Sequence, residues 1–265
     1  MIDYHVHTYR CCHATGSPEE YVAEAKRLGL AELGFADHFP LGMLDYEPRV
    51  QVTMLPEELE EYLAQVEILK GYSESLIIKT GIEIDYLPGT EKKLEKLLEL
   101  YQFDYVIGSI HFMEGWDFTH PVYADTYQDR DLDALYDQYF KLVWAAINTG
   151  LFDIIGHIDV IKKFGFRPAG SLEYYWQKTS KILAESETCF ELNTAGRDAP
   201  VGDFYPDRRL LELAAAEGVR VVTGSDAHSP DQVGRYFDDA RALLLETGFR
   251  ETVSFQKRCK SFRSL

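Results

Sequence analysis

The chain has 265 residues, 46% of them hydrophobic and 27% charged, with a formal net charge of −17 at pH 7. That length suits one large α/β domain or two small ones with ample core, and the composition excludes intrinsic disorder. The acidity argues against a general nucleic-acid or membrane surface, because polyanions are bound by basic patches. A buried site can still carry the opposite sign, since surface charge is screened beyond about 8 Å at physiological salt.

No apolar run approaches transmembrane length, and the first residues already read as a strand rather than a targeting segment. The cysteines Cys11, Cys12, Cys189 and Cys259 form no C-x-x-C pair. That usage predicts reduced thiols and a cytoplasmic chain. Cys11 and Cys12 stand just before His13 and could serve as soft ligands; the plainer reading of a free cysteine is a small buried hydrophobe.

Seven apolar, β-rich runs recur with helical patterns between them: MIDYHVH, ELGFADH, LIIKTGIEID, DYVIGSIH, FDIIGHID, TCFELNT and VRVVTGSDAH. The stretch SPEEYVAEAKRLGL predicts an N-cap at Ser17, Pro18 at the first helical position and Glu20 completing a capping box. PEELEEYLAQVEILKGY, DLDALYDQYFKLVWAAINTG and PDRRLLELAAAEGV show the same periodicity, the last two closing at Gly150 and Gly218. Strand alternating with helix implies a parallel sheet. Seven units without a linker or repeat favour a closed or nearly closed barrel in one domain, 1–265, over an open doubly wound sheet. No G-x-G-x-x-G or G-x-x-x-x-G-K-S/T supports nucleotide binding. The longest non-periodic stretches, 39–55 and 112–130, follow strands, and in a β/α barrel such loops lie over the active face.

Seven of the eight histidines belong to one set: six end these strands, and His13 follows His7 by six residues. His5 and His7 end the first strand, His38 the second, Glu83 the third, His111 the fourth, His157 the fifth, and Asp226 with His228 the seventh; His120 is left in a loop. Strand periodicity projects His5 and His7 together, with Tyr4 and Val6 pointing the other way, and pairs Asp226 with His228. An H-x-H on a strand or a lone strand-end histidine is more often a packing feature than a ligand. Together, so many imidazoles and carboxylates on one rim would be costly to bury unless cations satisfy them. Imidazole plus carboxylate without thiolate suits Zn²⁺, Mn²⁺ or Fe²⁺.

The order H-x-H, His13, A-D-H, G-x-E, S-I-H, G-H-x-D and S-D-A-H resembles the polymerase and histidinol phosphatase (PHP) superfamily. GSIHFMEGWDFTHP and DIIGHIDVIKKFG resemble its histidinol-phosphate phosphatase branch. The resemblance runs from His5 to His228 and implies a distorted (β/α)7 barrel with three divalent metal ions, zinc, manganese or iron. It implies one metal on His5, His7, Glu83 and Asp226, a second on Glu83, His111 and His157, and a third on His13, His38 and His228. The implied reaction is hydrolysis of L-histidinol phosphate in histidine biosynthesis, by in-line attack of a hydroxide bridging two metals.

Three divalent cations against the two carboxylates would make the pocket locally cationic, which suits a small phosphate substrate. Arg197 is the candidate phosphate clamp, its bland alternative being a surface pair with Asp198. Lys162 or Lys163 could assist. Asp37 and Asp159 could orient an imidazole or protonate the leaving alkoxide, and Asp159 shares the strand parity of His157. Asp85 shares parity with Glu83 but could equally cap the next segment. Histidinol phosphate has a cationic end, and Asp45, Tyr46, Glu114, Trp116 and Asp117 in the long loops suit such a ligand.

Rival readings are another phosphomonoester, a nucleotide end or phosphotyrosine as substrate. A metal-dependent amidohydrolase also begins H-x-H, but Glu83 occupies the third-strand position and His13 and His228 imply a third metal. A non-catalytic relic would show lost ligands, and none is missing.

Overall fold

The computed structural model describes residues 1–71 and 75–265. Tyr72, the last residue of the second helical run, lies outside the described residues. The seven apolar runs supply the seven strands of one sheet: β1 (Ile2–Val6), β2 (Glu32–Phe35), β3 (Ile77–Asp85), β4 (Tyr105–Ser109), β7 (Ile154–Ile155), β8 (Cys189–Asn193) and β9 (Val221–Gly224). They lie side by side in chain order, and every pairing is parallel. The two ends meet. His7 N–H donates to Ala227 O at 3.0 Å, Ser225 N–H to the Asp3 carboxylate at 2.9 Å, and the Thr223 hydroxyl to Ile2 O at 2.5 Å. The sheet is therefore a nearly closed barrel of the distorted (β/α)7 kind.

Helices α1 (Pro18–Arg27), α2 (Leu59–Gly71), α3 (Glu91–Leu100), α4 (Leu132–Thr149), α5 (Glu173–Ala184), α6 (Arg208–Ala216) and α7 (Phe237–Thr247) accompany the strands. α1 begins with the capping box of Ser17 and Glu20, with Pro18 in its first turn. α4 is capped by Asp131 and stopped by Gly150 in the left-handed region, and it buries Tyr139, Phe140, Val143 and Trp144. After β4 the chain forms a short hairpin, β5 (Phe112–Met113) with β6 (Trp116–Asp117). The 39–55 and 112–130 stretches thus hold local structure, 3-10 turns at 41–44 and 121–129 included.

A second hairpin also departs from the alternation. An antiparallel hairpin, β10 (Glu251–Gln256) and β11 (Cys259–Ser264), closes the chain. Its turn residues Lys257 and Arg258 both adopt positive φ, 49° and 63°. Neither residue favours that region on its own, so the turn has no sequence signature. Tertiary bonds hold it at the N-terminal end of the barrel: Lys257 N–H to Asp104 at 3.1 Å, and the Arg258 guanidinium to Asp153 at 2.8 Å and Leu151 O at 2.7 Å.

Val253 and Phe255 of this hairpin plug the barrel interior, packing with Ile2, Tyr4, Tyr105, Ile107, Ile154 and Val222. Tyr4 and Tyr105 stack at 4.6 Å, and the Tyr105 hydroxyl donates to Tyr4 O at 2.7 Å. Room for the Tyr105 ring comes from Gly34 and Gly81, where any Cβ would overlap it. Beside it, buried Glu32 accepts from Tyr4 and from Ser254, and pairs with Arg263 at 2.7 Å.

Tyr4 corrects the strand parity. A register shift between Asp3 and Val6 interrupts β1, so Tyr4 joins the interior cluster and His5 follows it inward, while Val6 faces the outer core. A bulge lets two successive side chains share a face. The parity placed on Asp159 fails for another reason: β7 ends at Ile155, and the chain has left the strand before His157.

Among the described residues no helix is long and apolar enough to cross a membrane. Gly81→Ala should cost about 1–3 kcal/mol by overpacking Tyr105, measured by urea denaturation. An unchanged midpoint would contradict the tight interior described here.

Candidate metal centre

At the C-terminal ends of the strands the interior turns polar, and Glu83 stands at its middle, 1% exposed. Its Oε2 lies 3.3 Å from His5 Nε2, 3.6 Å from His7 Nε2 and 3.0 Å from His38 Nδ1. Its Oε1 lies 3.0 Å from His157 Nε2 and 3.8 Å from His111 Nε2. Asp226 Oδ1 approaches His7 Nε2 at 3.1 Å and His5 Nε2 at 3.8 Å. His228 stacks on His7 at 4.1 Å between ring centroids and on His13 at 4.6 Å, and His13 lies 5.5 Å from His38. The structure thus brings His5, His7, His13, His38, Glu83, His111, His157, Asp226 and His228 into one cluster.

Several rings are tied from behind. His5 Nδ1 meets Glu191 at 2.8 Å, His111 Nδ1 meets Asp85 at 3.0 Å, His13 Nδ1 meets Cys11 O at 2.7 Å, and His228 Nδ1 meets Asp226 O at 3.0 Å. A partner on one ring nitrogen fixes the tautomer and leaves the other as a donor. Among the described residues, His5 Nε2, both nitrogens of His7, Glu83 Oε2, His157 Nδ1 and His228 Nε2 are buried and find no hydrogen-bond partner. Leaving such groups unpaired is costly. Donor atoms of His5, His7 and Glu83, of His5, His157 and Asp226, and of His7, His38 and His228 each lie within 4.8 Å of one another. Nitrogen and oxygen donors so arranged fit divalent cations. Cys11, buried, also comes within that distance of His13 and His228, whereas Cys12 is exposed.

Charge is unevenly shared. Burial drains protons from the imidazoles and holds His38 and His228 well below the ordinary range. At His7 the nearby Asp226 and Asp37 carboxylates outweigh burial, and at His111 Asp85 does; both rings sit at about 9. His5 is held well above its ordinary value because Glu191, Glu83 and Asp226 overcome its burial. Burial would raise Glu83 and Asp226, but the surrounding imidazoles keep both carboxylates well below their usual range.

Over the cluster opens a cavity of about 440 Å³ lined by Asp85, Asp117, His120, Lys163 and Tyr205 besides the cluster residues. Lys163 Nζ donates to Thr119 O at 2.9 Å, and burial lowers its pKa. Asp117, at the end of β6, holds the next turn by accepting from Thr119 and His120 N–H. His120, unassigned by spacing, accepts from Val122 N–H at the cavity mouth.

Other sequence candidates lie elsewhere. Lys162 is fully buried and pairs with Asp159 at 2.8 Å, and Asp159 also accepts from Asp207 N–H. Asp37 is buried behind the cluster, accepting from Thr8 N–H at 3.1 Å and His38 N–H at 2.8 Å. Arg197 is turned outward over Phe204 and Tyr236, and Asp198 pairs with Arg235 instead. Trp116 lies under Arg130, outside the cavity lining, and Tyr46 packs edge-on against Phe112. Asp45 pairs with Lys93, and Glu114 occupies the exposed β5–β6 turn.

Sequence reasoning missed Glu191, Asn193, Ser109 and Tyr205. Glu191 and Asn193 share the inward parity of β8, so alternation could have exposed them. Ser109, which donates to Glu83 at 2.5 Å, could be read from the inward face of β4.

The chain is 40% identical over 259 residues to the probable histidinol-phosphatase of Deinococcus radiodurans, covering 97% of each protein. It is 29% identical over 258 residues to the histidinol-phosphatase of Bacillus subtilis, covering 89% of this chain and 96% of that one. Its backbone matches the crystal structure of histidinol phosphate phosphatase from Lactococcus lactis, complexed with zinc, L-histidinol and phosphate, with a TM-score of 0.83 at 22% identity over 98% of each chain. The family model of the PHP domain matches residues 3–195. With its barrel, its strand-end histidines and these relatives, the chain belongs to the PHP domain family.

Proposed function

We propose that this chain is a metal-dependent histidinol phosphatase, hydrolysing L-histidinol phosphate to L-histidinol and phosphate. One domain, 1–265, carries the activity in the reduced cytoplasm. The observation that carries the reading is the buried cluster of imidazoles and carboxylates with unpartnered donor atoms, lying on the floor of a cavity of 440 Å³. The similarity to the Deinococcus and Bacillus proteins over nearly their full lengths supports the substrate.

His5, His7, Glu83 and Asp226 would hold one ion, Glu83, His111 and His157 a second, and His13, His38 and His228 a third, with zinc, manganese or iron suited to the donors. Bound divalent ions would supply Lewis acidity, lowering the pKa of water to about 7, and positive charge for the phosphate.

The remaining work falls to the chain itself. Lys163 is the cationic side chain lining the cavity, and its ammonium is the group we assign to a phosphate oxygen. Asp37 holds His38 through its backbone N–H and stands 3.6 Å from His7, so we assign it to orientation. Asp159 pairs with Lys162 in the wall beneath Tyr205. Asp85 and Asp117 give the cavity an anionic side suited to the amine or imidazole of histidinol.

The direct check is phosphate release from L-histidinol phosphate and from an aryl phosphate, with and without chelator. A kcat/KM of about 10⁴ M⁻¹s⁻¹ or more for histidinol phosphate, clear preference for it and loss with chelator are expected. Chelator-sensitive turnover of the aryl phosphate alone would keep a metal phosphatase and remove the substrate assignment. Lys163→Met should remove about 1.5–3 kcal/mol of phosphate binding, seen as a fall in kcat/KM at unchanged metal content.

Metal uptake should depend on pH with a definite sign. His7 and His111, at about 9, carry protons at neutral pH that a cation must displace. Zinc affinity of the stripped protein should therefore rise with pH up to about 9, with proton release detectable by calorimetry in buffers of different ionisation enthalpy. A flat profile would contradict the protonation described for these rings.

A further inference from the structure

Glu191 lies on β8 directly behind the cluster, 1% exposed, and does not itself line the cavity. Its two oxygens serve different strands. Oε1 meets His5 Nδ1 at 2.8 Å. Oε2 accepts from the backbone N–H of His157 at 2.9 Å and from Asn193 Nδ2 at 3.0 Å. Asn193 Nδ2 in turn lies 3.4 Å from Asp226 Oδ2. One carboxylate thereby links residues of β1, the segment after β7, β8 and the segment after β9. The flanking strand β9 leaves it room, since a Cβ on Gly224 would overlap Oε1.

We propose that Glu191 is a positioning residue that fixes the His5 ring as the Nδ1–H tautomer, so that Nε2 is kept as the donor facing Glu83 and Asp226. The inference rests on the metal reading above. Oε2 already receives two donors, so Oε1 is left for His5. A carboxylate oxygen only accepts there, and the imidazole must donate from Nδ1. In the neutral ring the lone pair then sits on Nε2, which has no hydrogen-bond partner among the described residues and lies 3.3 Å from Glu83 Oε2. A carboxylate behind a ligating histidine orients the ring and raises its basicity.

Glu191→Gln separates this role from simple packing. The amide has nearly the same shape but only one acceptor. With its oxygen toward His5, the NH2 group faces two other donors, His157 N–H and Asn193 Nδ2. With its oxygen toward that pair, the NH2 group faces His5 Nδ1 and drives the ring to the Nε2–H tautomer, which has no donor left for the cation.

The experiment compares zinc affinity, by competition with a chromophoric chelator, in wild-type and Glu191→Gln protein, together with their metal-free thermal stability. The expected result is affinity weakened about tenfold to a hundredfold, with the metal-free melting temperatures close together. In zinc-loaded wild type, long-range ¹⁵N–¹H spectra should show His5 protonated on Nδ1, a reading that stands even if the variant fails to fold. Equal zinc affinity in folded wild type and variant, or His5 protonated on Nε2 in the zinc-loaded wild type, overturns the proposal. A wild-type chain that takes up no zinc overturns the metal reading, and this inference with it.

Discussion

Five imidazoles converge within 4 Å of one carboxylate, and the rest of the site is arranged to make that tolerable. Glu83 is buried in β3, where an isolated anion would be expensive. His5 and His38 offset that cost from two neighbouring strands, His157 and Ser109 from the other side. Because the donors come from different strands, the Glu83 environment exists only when the sheet is curled. A flat sheet would spread these strand ends apart.

The same dependence explains the outer supports. Asp85, Asp37 and Glu191 stand behind His111, His7 and His5, each on a strand or strand end next to its histidine in the sheet or one further on. The anions do two things at once. They orient rings, and they bring negative charge to a cluster whose imidazoles would otherwise stand neutral in the barrel interior. Toward the cavity the sign mixes, with Lys163 on one side and Asp85 and Asp117 on others. A ligand with an anionic and a cationic end meets a complementary field there, despite a chain charge of −17.

Most of this was legible in the sequence because period-two patterning and strand-end chemistry are local signals. The seven strands, the capping of α1, the stops at Gly150 and Gly218 and the gathering of His5 to His228 follow from them. What escaped depends on tertiary contacts. The bulge in β1 that turns Tyr4 and His5 to the same face has no marker in MIDYHVH. β7 is held to Ile154–Ile155, so parity beyond it carries no meaning, and Asp159 faces Lys162 instead of the cluster. Arg197 sits two residues before Ala199, which lines the cavity, yet its side chain lies over Phe204 and Tyr236. Direction along a loop is set by packing, and no spacing rule predicts it. The β10–β11 turn, with two non-glycine residues at positive φ, exists only because Asp104 and Asp153 receive it.

That hairpin also ties distant parts of the chain to one interior. The barrel shuts where the Thr223 hydroxyl reaches Ile2, across 221 positions of chain, and its interior fills when Ser254 meets Tyr4, across 250. Contacts so distant in sequence carry a large loop-closure cost, which the packed interior has to outweigh. His5 and His7 stand at one edge of the sheet and Asp226 and His228 at the other, so they share a site only where that seam is shut.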